Sequence, residues 1–347
     1  MNNSITSLER VLTTLSYKEA DRVPMFLLCT FYGAKMAGVS IPQYFSAPEL
    51  VAEMQLNFLQ KFGNDCLFNF SYASAEIEAF GGDTIFVENG PPNAGKPFLQ
   101  TANDIHNLRV PEIENAATLQ NVLKITKLLY NEQGEKVPII GVVMSPFSIP
   151  VMQMGFDKYI DLMYYEPELF KKLMDINIQF CQKWANAQIE AGATAICYFD
   201  PVSSSDIIPT ELYKKTGFQV AKQTLAGIKS PTATHFAAGR AMKNAELITE
   251  TGTNIISAST FDNLEELKMK VNGKLTVLGN LNGIEMCRWS ANEAEIEIKK
   301  ICKAAAKGGG FIIADNHGEI PWQVPEDTLL AISDAVKKWG SYPIVNE

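Results

Sequence analysis

The segment FIIADNHGEIPW, residues 311–322, sets a dense polar cluster behind a short apolar run. Asp315, Asn316, His317 and Glu319 can hold a metal or move a proton, and Pro321 and Pro325 stop the chain from continuing as sheet. A buried strand that ends in such groups is where α/β enzymes place their chemistry. His235 ends a second apolar run, so two of the three histidines (His106 is the third) stand at strand ends. Imidazole is a common ligand of catalytic zinc, with Asp or Glu completing the set. His235 and His317 are therefore the candidate metal pair, with Asp200 or Glu319 as third ligand or general acid. Each has a plainer reading alone: a core histidine bonded to backbone, or a turn histidine bonded to its neighbours. Asp200 opens DPVSSSD directly after an apolar run, which aims it into the site, whereas Asp206 reads as a surface cap. Asp315 and Asn316 complete the candidate catalytic set.

These groups need a scaffold, and the hydropathy pattern supplies one. Apolar runs at 23–29, 65–70, 138–143, 194–199, 232–236, 253–257, 275–279 and 311–314 are apolar on both parities, as strands covered on both faces should be. Helical patterns lie between them. Residues 169, 173, 176, 180, 184 and 187 make one apolar stripe, and Ser290 with Glu293 forms a capping-box pattern that opens a helix at about 291–307. Eight strand–helix pairs predict an α/β fold, a (β/α)8 TIM-type barrel, with residues 1–22 as a helical extension and 1–347 as a single domain. A doubly wound sheet is the alternative, but no GxGxxG or Walker pattern follows a strand. The Gly-, Pro- and Asn-rich stretch 81–110 reads as a loop or hairpin excursion. Residues that follow the strands should line the barrel mouth. That rule selects Tyr32, Asn69, Tyr72, Phe147 and Tyr198 as the substrate pocket.

A net charge of −9 with no Lys/Arg run argues against a nucleic-acid partner. No apolar run approaches the ~20 residues of a membrane helix. The six cysteines show no CxxC pair, which suits reduced thiols in a cytoplasmic protein.

The helix followed by DRVPMF, the stretch GATAICYFDPVSS, the THF strand, GNLNG and the block GGGFIIADNHGEIPWQVPEDTLLAISDAVKKWG carry a resemblance over nearly the whole length. The chain resembles the uroporphyrinogen decarboxylase superfamily, and within it the corrinoid-dependent methyltransferase branch. The resemblance implies a single (β/α)8 barrel with its active site in the mouth. It also exposes departures. The decarboxylases carry an arginine-rich segment after the first strand, whereas here LLCTFYGAKMAG has none, and a polycarboxylate substrate would be left unpaired. The zinc methyltransferases of the family carry His-x-Cys after strand five and a further cysteine in the strand-eight loop. Here the first motif reads His235-Phe236-Ala237, and Gly318 stands about where the second cysteine would be. Only His235 transfers by motif, and His317 is a ligand proposed from this sequence.

A zinc held by histidine and carboxylate is a stronger Lewis acid than one held by thiolates. That suits removing a methyl group from oxygen or nitrogen. The expected reaction moves methyl from a small methylated donor, preferably a methoxylated aromatic, to the Co(I) corrinoid of a partner protein. The chain itself would be a monomer or homodimer. Three alternatives stay open: the same acids working without metal, transfer from methylcorrinoid to a thiol-type acceptor with an altered metal site, and a non-catalytic relative that binds a corrinoid or methylated ligand.

Overall fold

A computed structural model describes residues 5–344. Eight parallel strands form one curled sheet in the order β1, β10, β9, β8, β7, β6, β5, β2. They are β1 (Met25–Phe26), β2 (Leu67–Phe68), β5 (Ile139–Met144), β6 (Ala195–Phe199), β7 (Thr232–His235), β8 (Ile255–Ser257), β9 (Thr276–Leu278) and β10 (Phe311–Ala314). The architecture is the expected (β/α)8 barrel. The stretch 81–110 holds the expected hairpin, in which β3 (Thr84–Ile85) pairs antiparallel with β4 (Asn93–Ala94).

The barrel closes between β1 and β2 through side chains. Asn64 Oδ1 accepts from the Leu27 N–H at 2.7 Å, Asp65 Oδ2 accepts from the Met25 N–H at 2.9 Å, and the Asp65 N–H donates to the Met25 carbonyl at 2.8 Å. Asp65 is fully buried, and Arg10 at 2.7 Å and Arg22 at 2.6 Å pair with it. Arg10 also holds Asp21 through two hydrogen bonds of 2.6 Å. These contacts give DRVP its structural meaning: they pin the helix Ser7–Leu15 across the N-terminal end of the barrel. Val11 of that helix joins the interior cluster and plugs this end. The helix ends well short of residue 22, because the chain turns at Tyr17 with φ of 55°.

Strand parity sorts the two apolar layers. Phe26, Leu28, Cys66, Phe68, Ile140, Val142, Cys197, Ala233, Ile255, Leu278, Ile312 and Ala314 fill the interior. Their alternates, among them Leu27, Leu67, Val143, Tyr198, Ile256, Val277 and Ile313, pack outward against the helices. Both faces are covered, so the strands carry little polar alternation, β7 with Thr232 and Thr234 being the exception.

The helices follow their signals. Pro167–Glu190 is one helix, and Ser290 caps Ala291–Ala305, with the Glu293 carboxylate accepting from the Ser290 N–H at 2.7 Å. The stretch 210–228 breaks into Thr210–Lys215 and Gly217–Leu225. Among the described residues, no helix is long and apolar enough to cross a membrane.

Candidate active site

A pocket of about 210 Å3 opens at the C-terminal end of the barrel. Its walls are apolar: Leu28 above β1, Phe68, Phe70, Tyr72 and Ala73 at and after β2, Val142 from β5, and Cys197 and Phe199 from β6. Pro91, Pro92 and Asn93 of the hairpin close one side, and His317, Gly318 and Glu319 supply the polar one. A larger groove of about 720 Å3 lies outside the barrel between the helices Leu264–Lys270 and Ala291–Ala305. It holds none of the candidate catalytic groups. Asn280 and Asn282, which follow β9, line that groove, and Asn282 caps the helix Gly283–Met286.

The loop after β10 is shaped by its own aspartate. Asp315 Oδ1 accepts from the backbone N–H groups of His317 at 2.9 Å and Gly318 at 2.8 Å, an Asx-type turn. Gly318 has φ of 94°, and a Cβ there would lie 2.8 Å from Phe199 Cε2 and 3.4 Å from His235 Cε1. The loop after β10 therefore presses directly on the β6 and β7 ends, with no room for a side chain. Asp315 is fully buried, its Oδ2 has no partner, and burial pushes its pKa up to about 6. Asn316 is buried beside it, with Nδ2 at 3.4 Å from Thr260 Oγ1. Both sit behind the pocket wall.

Glu319 is the carboxyl that reaches the pocket. Its Oε2 accepts from the Thr30 hydroxyl at 2.8 Å. Burial, with the nearby Asp315 charge adding to it, pushes its pKa up to about 7. A carboxyl so placed is divided between acid and base forms at neutral pH, which is the condition for a general acid. Tyr72 also lines the pocket and donates to Glu78 Oε1 at 3.1 Å.

His317 lines the pocket as a half-buried ring whose pKa is lowered by burial. Its Nδ1 is buried without a partner, beside Gly283. His235 is fully buried and stacks on Phe199, with centroids 5.4 Å apart and planes 15° apart. Burial, and then His317, push its pKa down to about 3. Its Nδ1 accepts from the Ala237 N–H at 3.0 Å. The proton of the neutral ring is therefore on Nε2, which is buried and unpartnered.

That tautomer bears on whether His235 could hold zinc. A ligating histidine coordinates through one nitrogen and donates the other N–H to an acceptor. His235 has its lone pair turned to a backbone donor and its proton on the outward nitrogen. Among the described residues, no group of three or more His, Cys, Asp or Glu is gathered closely enough to hold a metal ion. His235 and His317, as arranged, do not fit zinc.

The other expected site residues are dispersed by strand parity. Phe199 faces in, so Tyr198 and Asp200 on either side of it face out. Asp200 is buried and accepts from the Ser145 hydroxyl at 2.6 Å and the Ser148 hydroxyl at 2.7 Å, tying the loops after β5 and β6 together. Asn69 donates to Thr126 Oγ1 at 2.7 Å and Gln188 Oε1 at 3.0 Å in the helix layer. Phe147 packs edge-on against Tyr159, and Tyr32 donates to the Val324 carbonyl at 2.9 Å. Only Tyr72 of the five expected pocket residues lines the pocket. Phe68, Phe70 and Phe199 form its aromatic wall instead, and the placement of His235 as inward-facing, carried across the β6–β7 pairing of Phe199 with His235, is the signal that would have found Phe199.

The chain has counterparts among known proteins. Residues 6–339 match the family model described as uroporphyrinogen decarboxylase (URO-D). The uroporphyrinogen decarboxylase of Geobacter metallireducens is 27% identical, over 90% of this chain and 93% of its own length. That of Thioalkalivibrio sulfidiphilus is 25% identical, over 96% and 98%. Among solved structures, a methyltransferase from Methanosarcina mazei superposes with a TM-score of 0.83 at 20% identity, covering 96% of this chain and 99% of that one. A B12-independent methionine synthase from Shewanella sp. W3-18-1 gives a TM-score of 0.53 at 14% identity, over 82% and 84%. At these identities the two structures speak for the shared fold.

Proposed function

The chain belongs to the uroporphyrinogen decarboxylase family, and from that premise we propose that it is a methyltransferase, moving a methyl group from a small methylated donor to the Co(I) corrinoid of a partner protein. A methoxylated aromatic is the preferred donor. One observation carries the reading: the carboxyl of Glu319 meets an aromatic-walled pocket that has no Lys or Arg among its lining residues. A porphyrinogen brings many carboxylates, and their burial without cations is costly. The only cation in the segment after β1, Lys35, is turned away, with Nζ donating to the carbonyls of Trp322 at 2.7 Å and Val324 at 2.9 Å. The pocket is also smaller than the ~300–1,000 Å3 typical of drug-sized ligands, let alone a tetrapyrrole.

The pocket residues have defined tasks in this reaction. Phe68, Phe70 and Phe199 hold the ring, offering apolar and edge-to-face contact. Glu319 delivers its proton to the ether oxygen as the carbon–oxygen bond breaks and the bonding electrons stay on that oxygen. Thr30 fixes the carboxyl by bonding the oxygen that does not carry the proton. Asp315 sets the loop that aims it. The partner's Co(I) supplies the electron pair that takes the methyl group. Protonation of a leaving oxygen by a positioned acid contributes ~10²–10⁴-fold.

The test is incubation with a Co(I) corrinoid and a panel of methyl donors, watching for the methylcobalt absorption. Methyl transfer from an O-methyl aromatic by the wild type, and its loss in Glu319→Gln, is the expected result. No transfer from any donor would refute the reading.

A further inference from the structure

We propose that Glu76 is a positioning residue for the methyl-donor pocket: together with Asn69 and Gln188 it takes the place of a strand beside the mouth half of β5, and so sets the aromatic wall. This deepens the methyl-donor reading and rests on it. β2 pairs with β5 only as far as Phe68 opposite Ile140, and the last bond of that ladder runs from the Asn69 N–H to the Ile140 carbonyl at 3.2 Å. The chain then leaves the sheet, and Phe70, Tyr72 and Ala73 of the departing segment form one wall of the pocket. The β5 edge they leave is buried, and its N–H groups need acceptors. Side chains supply them. Gln188 Oε1 accepts from the Val142 N–H at 3.1 Å, Gln188 Nε2 donates to the Val142 carbonyl at 2.9 Å, and Glu76 Oε1 accepts from the Met144 N–H at 2.8 Å. Gly141 makes room for Gln188, since a Cβ there would lie 2.7 Å from Gln188 Oε1.

The departing segment is tied at both ends to this substitute strand. Asn69 Nδ2 donates to Gln188 Oε1 at 3.0 Å, and Glu76 stands on the short helix Ala75–Ala79. Phe70, Tyr72 and Ala73 lie between the two ties, which therefore set how far they reach into the pocket. A chamber of about 10 Å3 lies behind the wall and shares Phe70, Tyr72 and Val142 with the pocket. Asn69 Oδ1 and Glu76 Oε2 border it, both buried and without a partner. The chamber has about the space of one water, a donor for both oxygens. Ser71 and Trp184 bring a hydroxyl and an indole N–H to it, and Tyr72 spends its hydroxyl on Glu78 Oε1. No Lys or Arg lines the chamber. Burial pushes the Glu76 pKa up to about 8, with the Met144 N–H and the Trp184 indole pulling the other way. At pH 7 Glu76 is thus mostly a neutral acid, and glutamine matches it in shape and charge.

The experiment compares the intact protein with Glu76→Leu, which loses the acceptor, Glu76→Asp, which draws it back by one methylene, and Glu76→Gln, which keeps it. At pH 7, KM and kcat are read for methyl transfer from anisole to a Co(I) corrinoid, and the Kd of anisole is read separately by calorimetry. Glu76→Leu is expected to raise KM and Kd ~10-fold or more, as the loss of a buried hydrogen bond can, with kcat per folded molecule within ~3-fold. Glu76→Asp is expected to raise both ~3-fold or more, and it carries the test if Glu76→Leu does not fold. Glu76→Gln is expected to restore both to within ~2-fold of the wild type. A residue that only stabilised the fold would lower the folded fraction, and hence the apparent kcat, and leave KM and Kd alone. Unchanged KM and Kd in Glu76→Leu and Glu76→Asp overturn the proposal, as does a Glu76→Gln protein as impaired as Glu76→Leu. Anisole binding that follows the expected order, in a protein that transfers methyl from no donor, keeps the positioning role and overturns the methyltransferase reading.

Discussion

The two ends of this barrel handle buried carboxyl groups in opposite ways. At the N-terminal end, Asp65 meets Arg10 and Arg22 at 2.7 and 2.6 Å, and accepts further from Ser7 and from the Met25 N–H. At the C-terminal end, Glu319 and Asp315 have hydroxyl and amide partners and no cation, and burial raises both. The first arrangement keeps a charge fixed and closes the β1–β2 seam. The second holds a proton more firmly than an ordinary carboxyl does, beside an apolar cavity. The lesson is that burial alone does not mark an active site; Glu319 is set apart because burial without a counter-charge coincides with reach into a cavity.

Substitution at each end breaks the comparison most sharply. Glu319→Gln should lower kcat for methyl transfer by ~10²–10⁴-fold. It should also stabilise the protein. An unfolded glutamate ionises near 4.5, and the folded one near 7, so stability is lost as pH rises between those values. The gain from removing the charge is then ~3 kcal/mol above pH 7 and vanishes below pH 4.5, as urea denaturation at two pH values would measure. A variant that is both inactive and less stable at pH 8 would contradict the contrast.

Asp65→Asn should do the reverse. It leaves Arg22 without its carboxylate and Arg10 with Asp21 alone, which costs ~3–5 kcal/mol in denaturation. The specific activity of the folded fraction should stay at the wild-type level. A smaller effect probes the acid itself. The rate should fall as pH rises through about 7, where Glu319 loses its proton. Thr30→Val removes a donor that favours the ionised form, so that limb should move to higher pH, with kcat reduced ~3–10-fold. The smallest effect is expected from a chelator. Because His235 turns its Nδ1 lone pair to the Ala237 N–H, prolonged dialysis against chelator should leave the rate unchanged. A loss restored by zinc would show that the ring turns over in solution.

Much of this was legible from residues alone. The eight apolar runs became the eight barrel strands, and the Gly- and Pro-rich stretch became the hairpin beside the mouth. The NHGE turn lies at the pocket, because a strand's C-terminal end and the polar residues after it are contiguous in sequence. The direction of each side chain was another matter. Tyr198, Asn69 and Asp200 stand at or just after the ends of strands, which points to the mouth, yet they face the helices. In a strand buried on both sides, neighbouring residues are equally apolar, so the period-two signal that separates inside from outside is missing.

The sequence by itself determined the fold class, the family, and the absence of an arginine-rich segment after β1, since these rest on local pattern and composition. Tertiary structure decided which carboxyl meets the pocket, which histidine nitrogen bears the proton, and that Gly318 packs against Phe199 and His235. The physical reason is that protonation and reach depend on the nearest few ångströms of dielectric and donors. Those neighbours come from β1, β2, β6, β7 and β10, segments that lie far apart along the chain and meet only when the barrel closes.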